Sequence, residues 1–207
     1  MREPFWRRAV TYLSLRDFLD VATKTGKPRI TKVRNIKHAG KYSPVTDFYK
    51  PLREGIVSAH NTGKSKAALK GLLLGVSDKR KLANYPLAVA GYDAWWSAHH
   101  LKWFDPPKGK YSKHGFEISI NPELGLEING SQHVIKLYLN TDPLPPYRAA
   151  LIGALMTHVV GTAAPLAVLG ALDVRRSVLI NATASTAVLM STVDSVLGDI
   201  AAIWPTV

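Results

Sequence analysis

Four residues in the C-terminal part of the chain have side chains that could act together in catalysis. They are three glutamates and one lysine: Glu117, Glu123, Glu127 and Lys136. Carboxylates that share one face with a lysine can hold a divalent cation and orient water against a phosphodiester. One hypothesis therefore assigns catalysis to Glu123, Glu127 and Lys136. Its metal ligands are Glu117, Glu123 and Glu127, and its cofactor is Mg²⁺ or Mn²⁺.

The element that must position these residues is a β-hairpin from Phe116 to about Asn140. Apolar and polar residues alternate from Phe116 to Ile128, as in a strand with one buried face. Asn129-Gly130 follows, and both residues tolerate the positive φ of a type I′ turn. A two-residue loop fixes the register, so that Glu123 lies opposite Lys136, Pro122 opposite Leu137 and Ile120 opposite Leu139.

The same register gives these charges a purely structural interpretation. Glu123 and Lys136 then form a cross-strand ion pair on a solvated face, which contributes roughly 0.2–1 kcal/mol. Pro122 has no N–H to donate to the ladder, which predicts an edge strand or a bulge at that position.

The order of the predicted elements is a helix (86–100), the hairpin (116–140), a helix (147–160) and a strand (166–174). This order is similar to the core of the restriction-endonuclease-like PD-(D/E)xK nucleases, whose acids and lysine lie on neighbouring strands. The resemblance covers roughly residues 86–175 and implies a metal-dependent nuclease or a degenerate relative of one. The motif departs at Val134, two residues before Lys136, where the family has Asp or Glu. With valine at this position, either catalysis is lost or the acid comes from elsewhere in the chain.

Charge is distributed very unevenly along the chain, whose net charge is +12. Residues 1–115 contain 23 Lys and Arg against 8 Asp and Glu, whereas residues 116–207 contain 4 against 7. A regional excess of this size favours a polyanionic partner. We therefore divide the chain into a basic, mainly helical region over 1–112 and a hairpin-helix-strand-helix core over 113–207, which could also form one continuous domain.

The densest basic segment spans residues 24–41 and contains no acid. We interpret this segment as an arm or as a poorly packed helix, because it has few large apolar residues. Its cations suit nucleic-acid phosphates, and nearby lysines extend the set. The first hypothesis is thus a non-catalytic nucleic-acid-binding protein without a cofactor. Its predicted contacts are Lys24, Lys27, Arg29, Lys32, Arg34, Lys37, Lys41, Lys64 and Lys66.

Other segments complete an α+β fold in which a basic helical half packs on a small antiparallel sheet. The pattern predicts a helix over Thr11–Ala22 with Ser14 as its N-cap, and a solvated connector over 77–81. A further helix begins near Pro51 or at Ser43-Pro44. A weakly amphipathic helix over 183–204 offers a face for self-association into a homo-oligomer.

Two features concern the cellular location. Residues 149–172 lack formal charge over 24 residues, enough to span a bilayer, but the glycines and Pro165 within them favour a helix followed by a buried strand. The chain has no cysteine, and its N-terminus lacks the apolar segment of a secretory signal. These observations predict a cytoplasmic protein that does not bind membranes.

Overall fold

The computed structural model describes residues 10–39, 47–183 and 186–207. The helices in this part of the chain are α1 (Leu15–Ala22), α2 (Gly26–Lys37), α3 (Lys50–Asn61), α4 (Ala68–Gly71), α5 (Lys79–Ser97), α6 (Pro146–Val160) and α7 (Thr186–Ile203). The strands are β1 (Thr11–Leu13), β2 (Leu101–Phe104), β3 (Gly109–Lys113), β4 (Phe116–Ile120), β5 (Leu124–Ile128), β6 (Ser131–Tyr138), β7 (Val168–Asp173) and β8 (Val178–Asn181). The predicted α+β class is confirmed.

A five-stranded sheet with the order β2-β5-β6-β7-β8 forms the centre of the fold. The predicted turn and register of its β5–β6 hairpin are confirmed, because Leu124 pairs with Ile135 and Ile128 with Ser131. Asn129 and Gly130 have φ values of 50° and 93°, as a type I′ turn requires. The sheet is mixed rather than antiparallel, because β6 and β7 pair in parallel. In the sequence, α6 connects these two strands.

The predicted strand over Phe116–Ile128 forms two strands, and the pairing predicted for its first half is wrong. The strand breaks between Ile120 and Leu124, and β4 joins a separate three-stranded sheet with the order β1-β4-β3. Ile120 pairs with Gly109 there, and not with Leu139. The physical reason is Pro122, which lacks the N–H that would continue the ladder.

The two halves of the alternating segment face two different hydrophobic cores. Ile118 and Ile120 lie in a first core together with residues of α1, α6 and α7. Leu124 and Leu126 lie in a second core with residues of α3 and α5. Val134 is on the polar face of the predicted hairpin, yet it is fully buried in the first core. The five-stranded sheet is therefore covered on both faces.

The first described element is a strand where a helix is predicted. Thr11 to Leu13 pair in parallel with β4, and α1 starts only after Ser14. Ser14 is nevertheless the N-cap, because its Oγ accepts a hydrogen bond from the Asp17 N–H at 3.0 Å. A parallel partner more than 100 residues away is not visible in the local sequence pattern.

The start of one helix also differs from the prediction. Asp78 caps α5 by accepting from the Lys81 N–H at 2.8 Å, so the helix begins within the predicted connector over 77–81. β3, which contains residue 112, pairs with β4, and β2 pairs with β5. α3 begins at Lys50 with Pro51 in its first turn. The alternative helix start at Ser43-Pro44 lies outside the described residues.

The uncharged segment over 149–172 forms a helix followed by a strand, as predicted. Most of α6 is buried in the first core, and β7 is an inner strand of the sheet. In the described part of the chain, one helix over Thr186–Thr206 is long and apolar enough to cross a membrane by length and composition. Its Val193 and Leu197 are buried in the first core, which is also how the core helix of a folded domain is placed.

At Gly91, α5 packs closely against the backbone of Val174 and Arg175. A Cβ at Gly91 of α5 would lie 2.2 Å from the Val174 carbonyl oxygen and 2.9 Å from the Arg175 backbone. We expect Gly91→Ala to lower the free energy of unfolding by about 1–3 kcal/mol, since backbone atoms must move apart. Urea denaturation measures this change. Gly71→Ala in α4 is the control, because a Cβ there meets nothing within 4 Å, and equal effects of both variants would contradict the packing.

Candidate nucleic-acid interface

The α2 helix presents one polar face to solvent. Val33 is fully buried in the first core, which fixes the helix by its inner side. Side chains three, four and seven residues apart share a face of an α-helix. The polar residues that are exposed at this spacing are Lys27, Thr31, Arg34, Asn35 and His38, and the apolar Ile30 is 39% exposed among them. We call this set the α2 face.

Three of the predicted phosphate contacts are used inside the protein instead. Lys32 Nζ lies 2.9 Å from Asp17 Oδ1 and 3.1 Å from Asp20 Oδ2 on α1. Arg29 forms an ion pair with Asp199 on α7. Lys37 Nζ donates to the Trp204 carbonyl oxygen at 2.8 Å. The basic segment therefore does have counter-charges, which come from helices that the local sequence does not reveal.

Lys32, Asp17, Asp20 and Arg148 form a partly buried cluster of opposite charges, which we call the Lys32 cluster. Burial raises the pKa of Asp20, but hydrogen bonds and charge from Lys32 and Arg148 outweigh this effect and hold the pKa below its usual value. Burial lowers the pKa of Lys32, while hydrogen bonds to Asp17 and Asp20 raise it more. These groups stabilise the charged form of one another, so Lys32 has a structural role.

The remaining cations of the segment are available to a ligand. Within the described residues, Lys24, Lys27 and Arg34 form no ion pair. Lys24 and Lys27 line an open groove of about 430 Å³. Its other lining residues are Pro28, Thr31, Lys32 and Asn35, so no carboxylate from the described part of the chain lines the groove. Lys41 lies outside the described residues.

The other two predicted contacts lie elsewhere. Lys64 and Lys66 are in the loop between α3 and α4, and α3 packs in the second core on the other face of the five-stranded sheet. Lys66 Nζ donates to Ser97 Oγ at 2.8 Å. Because α2 packs in the first core, the structure does not bring these lysines together with the α2 face.

Glu123 and Lys136 make the contact that the hairpin register predicts. Lys136 Nζ lies 2.6 Å from Glu123 Oε1, and Arg53 Nε lies 3.7 Å from the same oxygen. Glu123 Oε2 accepts from the Leu137 N–H at 2.8 Å. The Glu123 side chain is only 10% exposed. Both carboxylate oxygens are therefore engaged where β5 begins, which gives Glu123 a structural role.

The other two glutamates are not close to Glu123. Glu117 lies on β4 in the other sheet, where Lys110 Nζ is 2.8 Å from its Oε1. Glu127 lies four residues along β5 from Glu123, roughly 13 Å away, and 4.0 Å from Lys102. Among the described residues, no group of three or more His, Asp or Glu could hold a metal ion. The proposed ligand set does not converge on one site.

Sequence reasoning missed several residues that the structure places in these sites. Thr31, Asn35 and His38 share the α2 face with Lys27 and Arg34, and their helical spacing is a signal that could have revealed them. Arg53, the third member of the Glu123 cluster, belongs to a distant helix, and no local pattern indicates it.

Taken together, these features define an α+β protein with a rigid, exposed basic helix. Comparisons of the chain with protein-family models, with curated proteins and with solved structures found no match. Any functional assignment therefore has to come from the geometry.

The structural role of Glu123 at the start of β5 can be tested with two glutamate variants. Glu123→Gln leaves Lys136 without its counter-charge in a mostly buried position, so we expect the free energy of unfolding to fall by about 1–3 kcal/mol. Glu127→Gln, at the more exposed pair with Lys102, should change it by less than about 0.5 kcal/mol. Denaturant midpoints measure both effects. Similar midpoints for the two variants would show that the contact of Glu123 with Lys136 does not stabilise the fold.

His60 is a buried titratable group of the second core. Its Nε2 lies 2.7 Å from the Tyr92 hydroxyl oxygen, and its ring stacks on Trp96 with centroids 3.9 Å apart. Burial lowers the pKa of His60 to about 4. The surroundings therefore favour the neutral imidazole.

This burial predicts a loss of stability in mild acid. The unfolded chain protonates His60 near pH 6.5 and the folded chain only near pH 4, so stability falls as the pH drops between these values. The loss attributable to His60 is up to about 3 kcal/mol. Denaturation from pH 7 to pH 4 should show a shallower fall for His60→Gln than for His38→Gln on the exposed α2 face. Parallel curves for the two variants would contradict the prediction.

Proposed function

We propose that this protein binds nucleic acid through the α2 face and the adjoining Lys24, without catalysis. The observation that supports the proposal is a set of three cations, Lys24, Lys27 and Arg34, without carboxylate partners among the described residues. Buried contacts of Val33 hold the helix that carries two of them. Because the helix backbone is already ordered, binding a polyanion costs it little further conformational freedom.

The dimensions of α2 suit a phosphate backbone. Its 12 residues span about 18 Å, and Lys27 and Arg34 are separated by about 10 Å along the helix axis. Each strand of duplex DNA carries one charge per roughly 3.4 Å of its axis, so several phosphates lie within that length. A partner of this kind implies a compartment that contains nucleic acid, and the cytoplasm is part of the proposal.

Two further expectations stay proposals of lower rank. The metal-dependent nuclease has the Glu123–Lys136 contact in its favour, but its acids are dispersed over two sheets. Self-association through α7 would use the exposed side of that helix, where Val188 is 72% exposed. The α2 face is the stronger basis because its groups need no rearrangement to meet a ligand.

The proposal predicts a specific dependence on salt. We expect the protein to bind a 20-base-pair duplex, with an affinity that falls as salt rises, as measured by fluorescence anisotropy between 50 and 400 mM salt. The double variant Lys27→Gln/Arg34→Gln removes two phosphate contacts. It should reduce the slope of log K against log salt by about 1.8 and weaken binding roughly tenfold at 50 mM salt.

A charge-matched control separates this face from the overall charge of the chain. Lys102→Gln/Lys108→Gln removes two cations from exposed positions on β2 and the loop after it. This control should leave the salt slope close to that of the unmodified protein. Equal losses for both double variants would contradict a role for α2, and no binding at 50 mM salt would contradict nucleic-acid binding altogether.

A further inference from the structure

α1 and α2 follow each other in the order helix, short turn, helix. Three residues, Thr23 to Thr25, connect them, and Gly26 opens α2 with φ of 56°. The helix-turn-helix units that bind DNA join their two helices by a turn of three or four residues that often contains glycine. The turn is fixed by the Lys24 N–H, which donates to the Val21 carbonyl at 3.0 Å, and by Arg29 Nε, which donates to the Lys24 carbonyl at 2.6 Å.

The inner side of α2 is anchored at both ends. Near its start, Arg29 pairs with Asp199 of α7. In the middle, Val33 is buried, and at the end Lys37 donates to the Trp204 carbonyl. A helix held at three points along its length keeps a constant orientation. Its outer face can therefore present side chains to a ligand as a rigid unit.

The composition of the α2 face differs from that of a surface that binds phosphates alone. The neutral groups Thr31 and Asn35 lie between Lys27 on one side and His38 on the other. An asparagine amide can bond in two places to the N6 and N7 edge of adenine, and threonine can contact base edges or the thymine methyl group. Donors of this kind read bases, whereas the cations Lys27 and Arg34 beside them suit phosphates.

The acids near α2 do not oppose the approach of DNA. Asp17 and Asp20 pair with Lys32, and Asp20 also pairs with Arg148 at 2.8 Å. Asp199 pairs with Arg29. Each carboxylate that lies beside the helix is thus neutralised by a cation, so the outer face remains positive.

We propose that α2 is a recognition helix that enters the major groove of duplex DNA, with Thr31 and Asn35 on base edges and Lys24, Lys27 and Arg34 on phosphates. This inference rests on the proposed nucleic-acid binding and names its partner. The major groove of B-DNA is about 12 Å wide and admits a helix, whereas that of duplex RNA is too narrow. The α2 sequence has no aromatic residue, so it offers no platform for stacking single-stranded bases.

The first experiment compares three ligands of equal length at 100 mM salt: duplex DNA, duplex RNA and single-stranded DNA. We expect duplex DNA to bind at least tenfold more tightly than either of the others. Selection from a pool of random duplex sequences should then enrich a preferred site. Anisotropy with that site and with a scrambled duplex gives the specificity ratio.

The second experiment removes the base-reading amide. Asn35→Ala should weaken binding to the selected site by about 5- to 150-fold, the loss of one bidentate base contact. It should leave both the affinity for the scrambled duplex and the salt slope unchanged, because the amide carries no charge. Asn61→Ala at the exposed end of α3 is the matched control and should change neither affinity. Thermal melts verify that the exposed substitutions leave the fold intact.

The outcomes separate the two proposals. If no nucleic acid binds, the proposed function itself is wrong. If binding depends on Lys27 and Arg34 but is equal for the three ligands, the proposed function stands and the recognition helix is wrong. The recognition helix is also overturned if selection enriches no site or if Asn35→Ala binds the selected site as tightly as the unmodified protein.

Discussion

The missing N–H of Pro122 is the constraint on which the arrangement of the two sheets depends. If position 122 had an N–H, the alternating segment over Phe116–Ile128 would form a single long strand with all its apolar residues in one core. The ladder stops there, and Glu123 secures the new start by binding Lys136, Arg53 and the Leu137 N–H. The same segment therefore supplies β4 to one sheet and β5 to another, and two cores form on the two faces of the larger sheet.

The basic helix depends on this division. β4 contributes Ile118 and Ile120 to the first core, against which α1, α2 and α7 pack. Once these helices are in place, their acids neutralise the cations on the inner side of α2. Like charges on one helix repel one another, and this long-range pairing relieves the repulsion on one side only. The cations on the outer side stay free to meet an external anion.

The same packing explains why the hairpin acids do not form a site. A Mg²⁺ site requires carboxylate oxygens to converge within about 2.0–2.1 Å of one ion. β4 and β5 carry Glu117 and Glu127 into different sheets, and each acid has a lysine of a neighbouring strand close to it. Glu123, the best buried of the three, uses both of its oxygens within the protein. The charges of this region hold strands together, whereas Lys27 and Arg34 of α2 face outward.

Local rules in the sequence determined the β5–β6 register, the Ser14 cap and the helix-then-strand order of residues 149–172. Turn chemistry, capping and periodicity each act over a few residues, so one sequence is enough to reveal them. Only the tertiary structure decided that β1 pairs with β4, that Val134 is buried, and which cations of residues 24–41 have partners. These outcomes depend on residues such as Asp199, about 170 positions from Arg29, because packing brings together side chains that no local pattern relates.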